Sequence, residues 1–141
     1  MPTIPVFPPT PYALQRVIPD IPFAEAVTRT RAALAAEGFG VLTEIDMRAT
    51  MLAKLGAEVR DYVVLGACNA PFAFRALVEE PGFGLLLPCN VVVSANDSGG
   101  VVVAAIDPLL LFGLVNKPEL RPLADEVRLR LDRALHALNG L

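Results

Sequence analysis

Residues 85–106 read LLLPCNVVVSANDSGGVVVAAI, and this stretch decides the fold. Two apolar runs, residues 84–94 and 101–106, flank the turn-forming residues 96–100, a pattern that predicts a β-hairpin. Both runs are apolar on both faces, whereas the strands of a half-solvated antiparallel hairpin alternate apolar with polar residues. We therefore expect one face of the hairpin to meet helices and the other to meet a second copy of the chain or a second layer, and we take this as the main argument for a homodimer.

The segments around the hairpin alternate between extended and helical periodicity. Apolar strand patterns occupy residues 12–18, 41–45 and 62–68. Helical spacing begins after Pro22, a short helix follows the capping residue Asp46, and a further helix starts at Asn69 and Pro71. The last helix covers about residues 118–138 and carries one apolar stripe. This alternation predicts a sheet with helices packed on it.

Composition removes several classes of function. The 141 residues are 54% hydrophobic and 19% charged, against roughly 45–50% and about 25% in an ordinary globular domain, and we expect part of the apolar surplus to meet another subunit. The net charge of −3 gives no excess of Lys and Arg to attract a phosphate backbone. We therefore expect no nucleic-acid partner.

The first eleven residues differ from the rest of the chain. Residues 1–11 contain five prolines and no basic residue, so they lack the features of a secretory signal and indicate an extended arm before a single domain at residues 12–141. The most apolar region, residues 101–115, is interrupted by Asp107 and Pro108, and it is shorter than the ~20 residues of a membrane-spanning helix. Two cysteines are too few for a disulfide scaffold. We expect a soluble, cytoplasmic protein with reduced thiols.

Two Cys-Asn pairs are the strongest candidates for a site. Cys68 ends a predicted strand just before a helix start, where the helix dipole favours an anion and would lower the pKa of a thiol. Asn69 follows it, and Arg75 lies further along the same helix as a counter-charge. Cys89 and Asn90 form the second pair, with Cys89 on the buried side of its strand. Together these five residues predict a binding site for a small anionic or thiol-bearing ligand.

Several alternatives stay open beside this hypothesis. Both cysteines are also explained as small core side chains, with the asparagines satisfying nearby backbone groups. A thiol-dependent redox or transfer activity centred on Cys68, or a soft metal shared between the cysteines of two subunits, is a further possibility.

Other catalytic arrangements are weaker. His136 lies in the last turns of the final helix, where a cation complements the helix dipole. Asp46 is explained as a helix cap and Asp107 as the turn residue before a proline. The scattered glycines form neither a dinucleotide fingerprint nor a phosphate loop. The sequence therefore assigns no catalytic residue and no cofactor.

Four segments carry a resemblance to a known family. They are GFGVLTEID at residues 38–46, LGACNAP at 65–71, GLLLPCNVVV at 84–93 and AIDP at 105–108. In this order they resemble the bacterial and archaeal domain-of-unknown-function family 302. The resemblance implies a dimeric α+β fold of the strand-helix-strands-helix type, with a largely antiparallel sheet packed by helices on one face, as in the TATA-box-binding protein. It implies no activity, so we expect a homodimeric ligand-binding or interaction module.

Overall fold

Five strands form one antiparallel sheet in the computed structural model, which describes residues 2–138. In chain order they are β1 (Ala13–Ile18), β2 (Gly40–Asp46), β3 (Tyr62–Cys68), β4 (Cys89–Ala95) and β5 (Val101–Ile106). The spatial order is β1-β5-β4-β3-β2, and every neighbouring pair is antiparallel. The predicted α+β class with an antiparallel sheet is confirmed.

Five α-helices occupy the connections within the described residues. They are α1 (Phe23–Ala36), α2 (Met47–Leu55), α3 (Ala70–Glu79), α4 (Pro108–Val115) and α5 (Arg121–Ala137). Short 3₁₀ helices precede β4 at Pro81–Leu86 and α5 at Pro118–Leu120. Side-chain caps open three of the helices: Asp46 for α2, Asn69 for α3 and Asp107 for α4.

The predicted hairpin is present as β4 and β5. Asn96 closes its turn, because its backbone N–H donates to Gly100 O at 3.0 Å and its side-chain oxygen accepts from the N–H groups of Ser98 and Gly100. An asparagine that satisfies its own turn in this way is a frequent hairpin signal. The hairpin holds the centre of the sheet, with β1 and β3 on its two sides.

One sequence-based boundary was wrong, and one helix was missed. The strand predicted from residue 84 begins five residues later, at Cys89, because residues 81–86 form a 3₁₀ helix with Leu85 91% exposed. Helix α4 was missed since its residues are apolar all round and show no helical period. None of the helices in residues 2–138 is both long and apolar enough to cross a bilayer.

Helices α1 and α5 cover one face of the sheet and bury the main core. From the sheet this core contains Leu65, Val91, Val93 and Val103, and the helices add Leu34, Leu131 and Leu135. A second, smaller apolar cluster lies under α3 and α4, built on Ala76, Phe83, Leu120 and Leu123. The seam between the two clusters is where the candidate site forms.

The N-terminal arm crosses the other face of the sheet. Gln15 lies on that face in β1, and its side chain donates to Pro8 O and accepts from the Thr10 N–H. At the far side, Arg60 donates to Ile4 O at 2.7 Å and to Ala95 O at the end of β4. Between these anchors, Val102 and Ala104 of β5 are only 3% exposed although they face away from the helices.

This arrangement corrects the argument for a dimer drawn from the hairpin. A second copy was expected to cover the outer face of both strands, yet β5 is buried on both faces within one chain, where the arm crosses its outer face. On β4 the outer face stays more open, with Asn90 exposed and Val92 half-buried. The sequence pattern identified the apolar outer face correctly, and on β5 the second layer that it allowed in place of a partner is the arm.

Candidate functional site

Three of the five predicted site residues meet at one pocket. Cys68 ends β3, Asn69 follows it as the cap of α3, and Cys89 begins β4 next to Ala67 of β3. Because β3 and β4 are antiparallel neighbours, the end of one lies beside the start of the other and the two thiols come together. All three residues line an apolar pocket between the end of the sheet and the helices α3, α4 and α5.

The walls of this pocket, which we call the cysteine pocket, are almost entirely apolar. Four phenylalanines dominate them: Phe39, Phe72, Phe83 and Phe112. Phe83 and Phe112 contact each other with ring centroids 4.6 Å apart. The cavity volume is about 30 Å³, measured as the space open to the centre of a water molecule. This space suits a slender apolar group, since a single water needs only about 10–15 Å³ by the same measure.

The polar atoms of Asn69 are fixed by the helix that it caps. Its Oδ1 accepts from the Phe72 N–H at 3.3 Å, and its backbone oxygen accepts from the Ala73 N–H at 2.9 Å. Because Oδ1 must face the backbone donor, the orientation of the amide is settled and Nδ2 turns the other way, towards Gly38. The residue as a whole is 8% exposed.

Burial dominates the chemistry of both thiols. It raises the pKa of Cys68 above its ordinary value, which is opposite to the lowering expected from the helix dipole. Burial, and to a smaller degree repulsion from Cys68, raises the pKa of Cys89 to about 11. Desolvation disfavours the charged form of a thiol more than the start of α3 favours it. Both cysteines are therefore neutral thiols near pH 7.

Arg75 and Asn90 lie away from the cysteine pocket. Arg75 is exposed on α3 and lines a separate shallow groove with Glu79 and Glu119. Asn90 is exposed on the face of the sheet that the arm crosses, because side chains alternate along β4 and its neighbours Cys89 and Val91 point into the core. The structure thus brings Cys68, Asn69 and Cys89 together and leaves the other two apart.

The sequence did not indicate Arg130 of α5, which contacts Phe72, one of the residues that line the pocket. Its guanidinium carbon is 5.1 Å from the centroid of the Phe72 ring, a cation–π contact. Its Nε donates to Glu126 at 2.9 Å and its Nη1 donates to Glu37 O at 3.3 Å. The spacing could have indicated its position, because Arg130 lies three residues after Val127 and is therefore its neighbour on the surface of α5, and Val127 lines the pocket.

The other polar residues considered from sequence have structural roles. Asp46 accepts from the Ala49 N–H at 2.9 Å, and Asp107 accepts from the Leu109 N–H at 3.0 Å while pairing with Arg128. His136 is exposed near the end of α5, where it lines a shallow groove with Asp132 and Arg133 and is not among the residues of the cysteine pocket. Within residues 2–138 no three His, Cys, Asp or Glu side chains are grouped to hold a metal ion. Two thiols on neighbouring strands are the softest ligand pair that this site offers.

Comparisons with known proteins agree with the fold. The family model described as "Domain of unknown function DUF302" matches residues 15–138. A crystal structure of an uncharacterized conserved protein DUF302 from Bacillus stearothermophilus is similar at a TM-score of 0.81 and 28% identity, over 90% of this chain and 98% of that one. No curated protein matches. The family match begins after the arm, and the likeness to the TATA-box-binding-protein architecture stays a prediction.

Proposed function

Since the chain belongs to the DUF302 family, whose description names no activity, we propose its function from the geometry alone: it is a binding module that holds a small apolar ligand, or the apolar part of one, in the cysteine pocket. The observation that carries this proposal is the lining. Four phenylalanine rings and two neutral thiols surround a narrow space, with no carboxylate or amine among the lining residues. Such a surface gains by burying apolar area and offers no acid–base pair.

A thiol-dependent activity centred on Cys68 is the competing function. It needs a thiolate, and the raised pKa of Cys68 opposes one. pH-dependent alkylation of Cys68 decides between the two, because a thiol that reacts half-maximally well below pH 8.5 would favour the enzyme. A soft metal shared between two subunits is less favoured, since Cys89 is only 8% exposed and is enclosed by its own chain.

We further propose that the protein is a homodimer. Support comes from an exposed apolar surface that we call the α3 patch, made of Phe74, Leu77, Val78 and Leu85, with exposures of 70%, 37%, 64% and 91%. A monomer rarely leaves so many large apolar side chains together in water. The free thiols of Cys68 and Cys89 support a cytoplasmic location, and the net charge of −3 supports the absence of a nucleic-acid partner.

Xenon is a suitable probe of the cysteine pocket, because apolar cavities in proteins bind it without polar contacts and a single atom suits a space of about 30 Å³. We expect dissolved xenon to shift the methyl NMR signals of Leu111 and Val127, which line the pocket, and to leave distant methyl groups unchanged. Ala73→Leu fills the pocket from α3 and should abolish the shifts. Ala53→Leu is the matched control, since Ala53 is exposed on α2. Spectra of the wild-type protein that do not change as the xenon pressure is raised would rule out the binding function.

A further inference from the structure

The N-terminal arm has a period of three residues. One proline stands at every third position: Pro2, Pro5, Pro8 and Pro11. Three of the residues between them are half-buried and the others are exposed, and the half-buried ones also recur at every third position: Ile4, Phe7 and Thr10. Proline favours polyproline II backbone, a helix with three residues per turn and no internal hydrogen bonds. The arm therefore turns one side of such a helix towards the sheet and the rest towards solvent.

The sheet holds the arm by its carbonyl oxygens, which a polyproline II helix leaves without internal partners. Arg60 donates to Ile4 O at 2.7 Å, and Gln15 of β1 donates to Pro8 O at 3.2 Å. Four residues of this helix span about 12 Å. Arg60 is also bonded to Ala95 at the end of β4, which lies two strand spacings from β1, or about 10 Å across the sheet. The two donors are thus spaced for a polyproline II segment.

The surface under the arm is apolar apart from one hydroxyl group. Val102 and Ala104 are each 3% exposed, and Ser94, which pairs with Val102 across the hairpin, is 1% exposed. Tyr62 pairs with Ser94 from the other side and adds an aromatic side chain. In the part of the chain that the structure describes, Ser94 Oγ finds no hydrogen-bond partner. A buried hydroxyl without a partner costs free energy, so the arm covers this surface without satisfying it.

We propose that this surface, which we call the arm site, binds a proline-rich segment of a partner protein and that the arm masks it in the free chain. The arm site consists of five residues: Gln15, Arg60, Ser94, Val102 and Ala104. Proline-rich segments bind such surfaces in the polyproline II form, and they lose little entropy because proline already restricts the free peptide. The family match begins at residue 15, so it includes the arm site and excludes the arm. The site therefore belongs to the family domain, and its present occupant does not.

A second copy of the chain is a poorer occupant than a partner protein. The arm folds back at once, since the Ala13 N–H donates to Thr10 O at 3.1 Å and Gln15 accepts from the Thr10 N–H at 3.0 Å. So short a connection gives the arm an effective concentration in the millimolar range, and exchange of identical arms would gain no contact. A partner segment that carries an acceptor for Ser94 Oγ would gain one.

The test titrates a synthetic peptide of residues 2–11 into the full chain and follows the methyl NMR signals of Val102 and Ala104. Phe7→Ala frees the arm site, because it removes the largest side chain that the arm turns towards the sheet. Val6→Ala is the matched control, since Val6 is exposed on the solvent side of the arm. We expect the peptide to bind Phe7→Ala at least about tenfold more tightly than the wild type or Val6→Ala, because an intact tethered arm competes with it.

Two further controls define what the arm site recognises. A peptide with Val6 and Phe7 exchanged has the same composition but turns the smaller side chain towards the sheet, so it should bind Phe7→Ala about tenfold more weakly. Unlabelled wild-type chain should not shift the signals of Phe7→Ala, because its arm is engaged on its own sheet. Unchanged methyl signals of Leu65 and Leu131 in the main core show that the variants are folded.

Each contrary outcome overturns a stated part of the proposal. No binding of the peptide to folded Phe7→Ala at millimolar concentration would exclude the arm site, and equal binding to Phe7→Ala and the wild type would exclude masking by the arm. Equal affinity for the two peptides would contradict recognition of the three-residue period. If wild-type chain shifts the signals as the peptide does, the occupant is a second copy and not a partner protein. The cysteine pocket shares no residue with the arm site, so its proposed function is tested separately.

Discussion

The buried thiol of Cys89 links the stability of the protein to alkaline pH. Its folded pKa is about 11, whereas a thiol in the unfolded chain titrates near its ordinary value of 9.0. Above the unfolded value the unfolded chain releases a proton that the folded chain keeps. The contribution to stability is therefore complete below about pH 9 and is lost as pH rises towards 11.

We predict that the free energy of unfolding of the wild type falls faster between pH 9 and pH 11 than that of Cys89→Ala. The difference in slope should approach about 1.4 kcal/mol per pH unit, the limit for one proton. Urea titrations at a series of pH values measure it, and other titrating groups cancel because both proteins contain them. Parallel curves for the two proteins would show that Cys89 is not desolvated in the native state.

A substitution at Gly66 of β3 tests the packing on the face of the sheet that the arm crosses. A Cβ built on Gly66 would overlap Thr43 Oγ1 and would lie 2.7 Å from Pro88 Cγ. We predict that Gly66→Ala lowers the free energy of unfolding by about 1–3 kcal/mol, the usual cost of overpacking. Thr43→Ala removes one of the two clashing atoms, so the double variant should recover part of that loss in urea unfolding. Strict additivity of the two substitutions would contradict the clash.

The sequence predicted the residues that cap helices or form turns, but not the position of Arg130 or the direction of the Cys68 pKa shift. Asp46, Asn69 and Asp107 were recognisable as caps or turn residues because capping depends on a few neighbouring backbone atoms. The position of Arg130 depends on a contact with α3, some sixty residues earlier in the chain, and no local pattern reports such a distance. The direction of the Cys68 pKa shift was missed for the same reason, since its burial is tertiary.

The N-terminal arm packs on one face of the sheet. It covers Val102 and Ala104 and is tied down at Gln15 and Arg60. We predict that deleting residues 2–9 lowers the free energy of unfolding by about 1–3 kcal/mol, the value of burying one large apolar side chain. Part of the loss is offset, because Ser94 Oγ has no hydrogen-bond partner among the described residues and would regain water.

A shorter deletion provides the control for the arm. Removing only residues 2–3 should change stability little, because Pro2 and Thr3 are exposed and lie before the anchor at Ile4. Urea unfolding monitored by circular dichroism compares the three chains. Equal stability of the full chain and the chain lacking residues 2–9 would show that the arm does not pack on the sheet in solution.

Helices and strands whose apolar residues repeat with a clear period were predicted from the sequence. Elements without such a repeat were not. Helix α5 and the hairpin β4–β5 carry strong local signals, an apolar stripe in one and a turn sequence in the other. Helix α4 packs against α5 and over the second apolar cluster, and its residues are apolar on most sides, so the sequence shows no 3.6-residue period there. The 3₁₀ helix at Pro81–Leu86 reads as a strand because its leucine run continues into Cys89.

The arm already covers the outer face of β5, so a second subunit would contact a different surface of the protein. Covering the outer face of β5 no longer needs a partner, so the proposed dimer rests on the α3 patch. That patch is made by consecutive turns of α3 and by Leu85, which follows Gly84 in the neighbouring 3₁₀ helix, and the Cβ position of Gly84 lies 3.8 Å from Leu77 Cδ2. A contiguous exposed apolar patch of this kind often marks a protein–protein contact.

We predict a dimer by light scattering at micromolar concentration, and we expect Leu85→Asp to raise its dissociation constant at least about tenfold, because dimerisation would then bury an unpaired carboxylate. Leu85 is 91% exposed in the single chain, so the substitution leaves folding intact. Leu129→Asp is the control, as Leu129 is 49% exposed on α5, outside the α3 patch. A dimer that resists Leu85→Asp but dissociates in Leu129→Asp would move the interface to α5. A monomer at every concentration would leave the α3 patch without a second copy to meet, and the quaternary proposal would fail while the cysteine pocket, which lies within one chain, would keep its function.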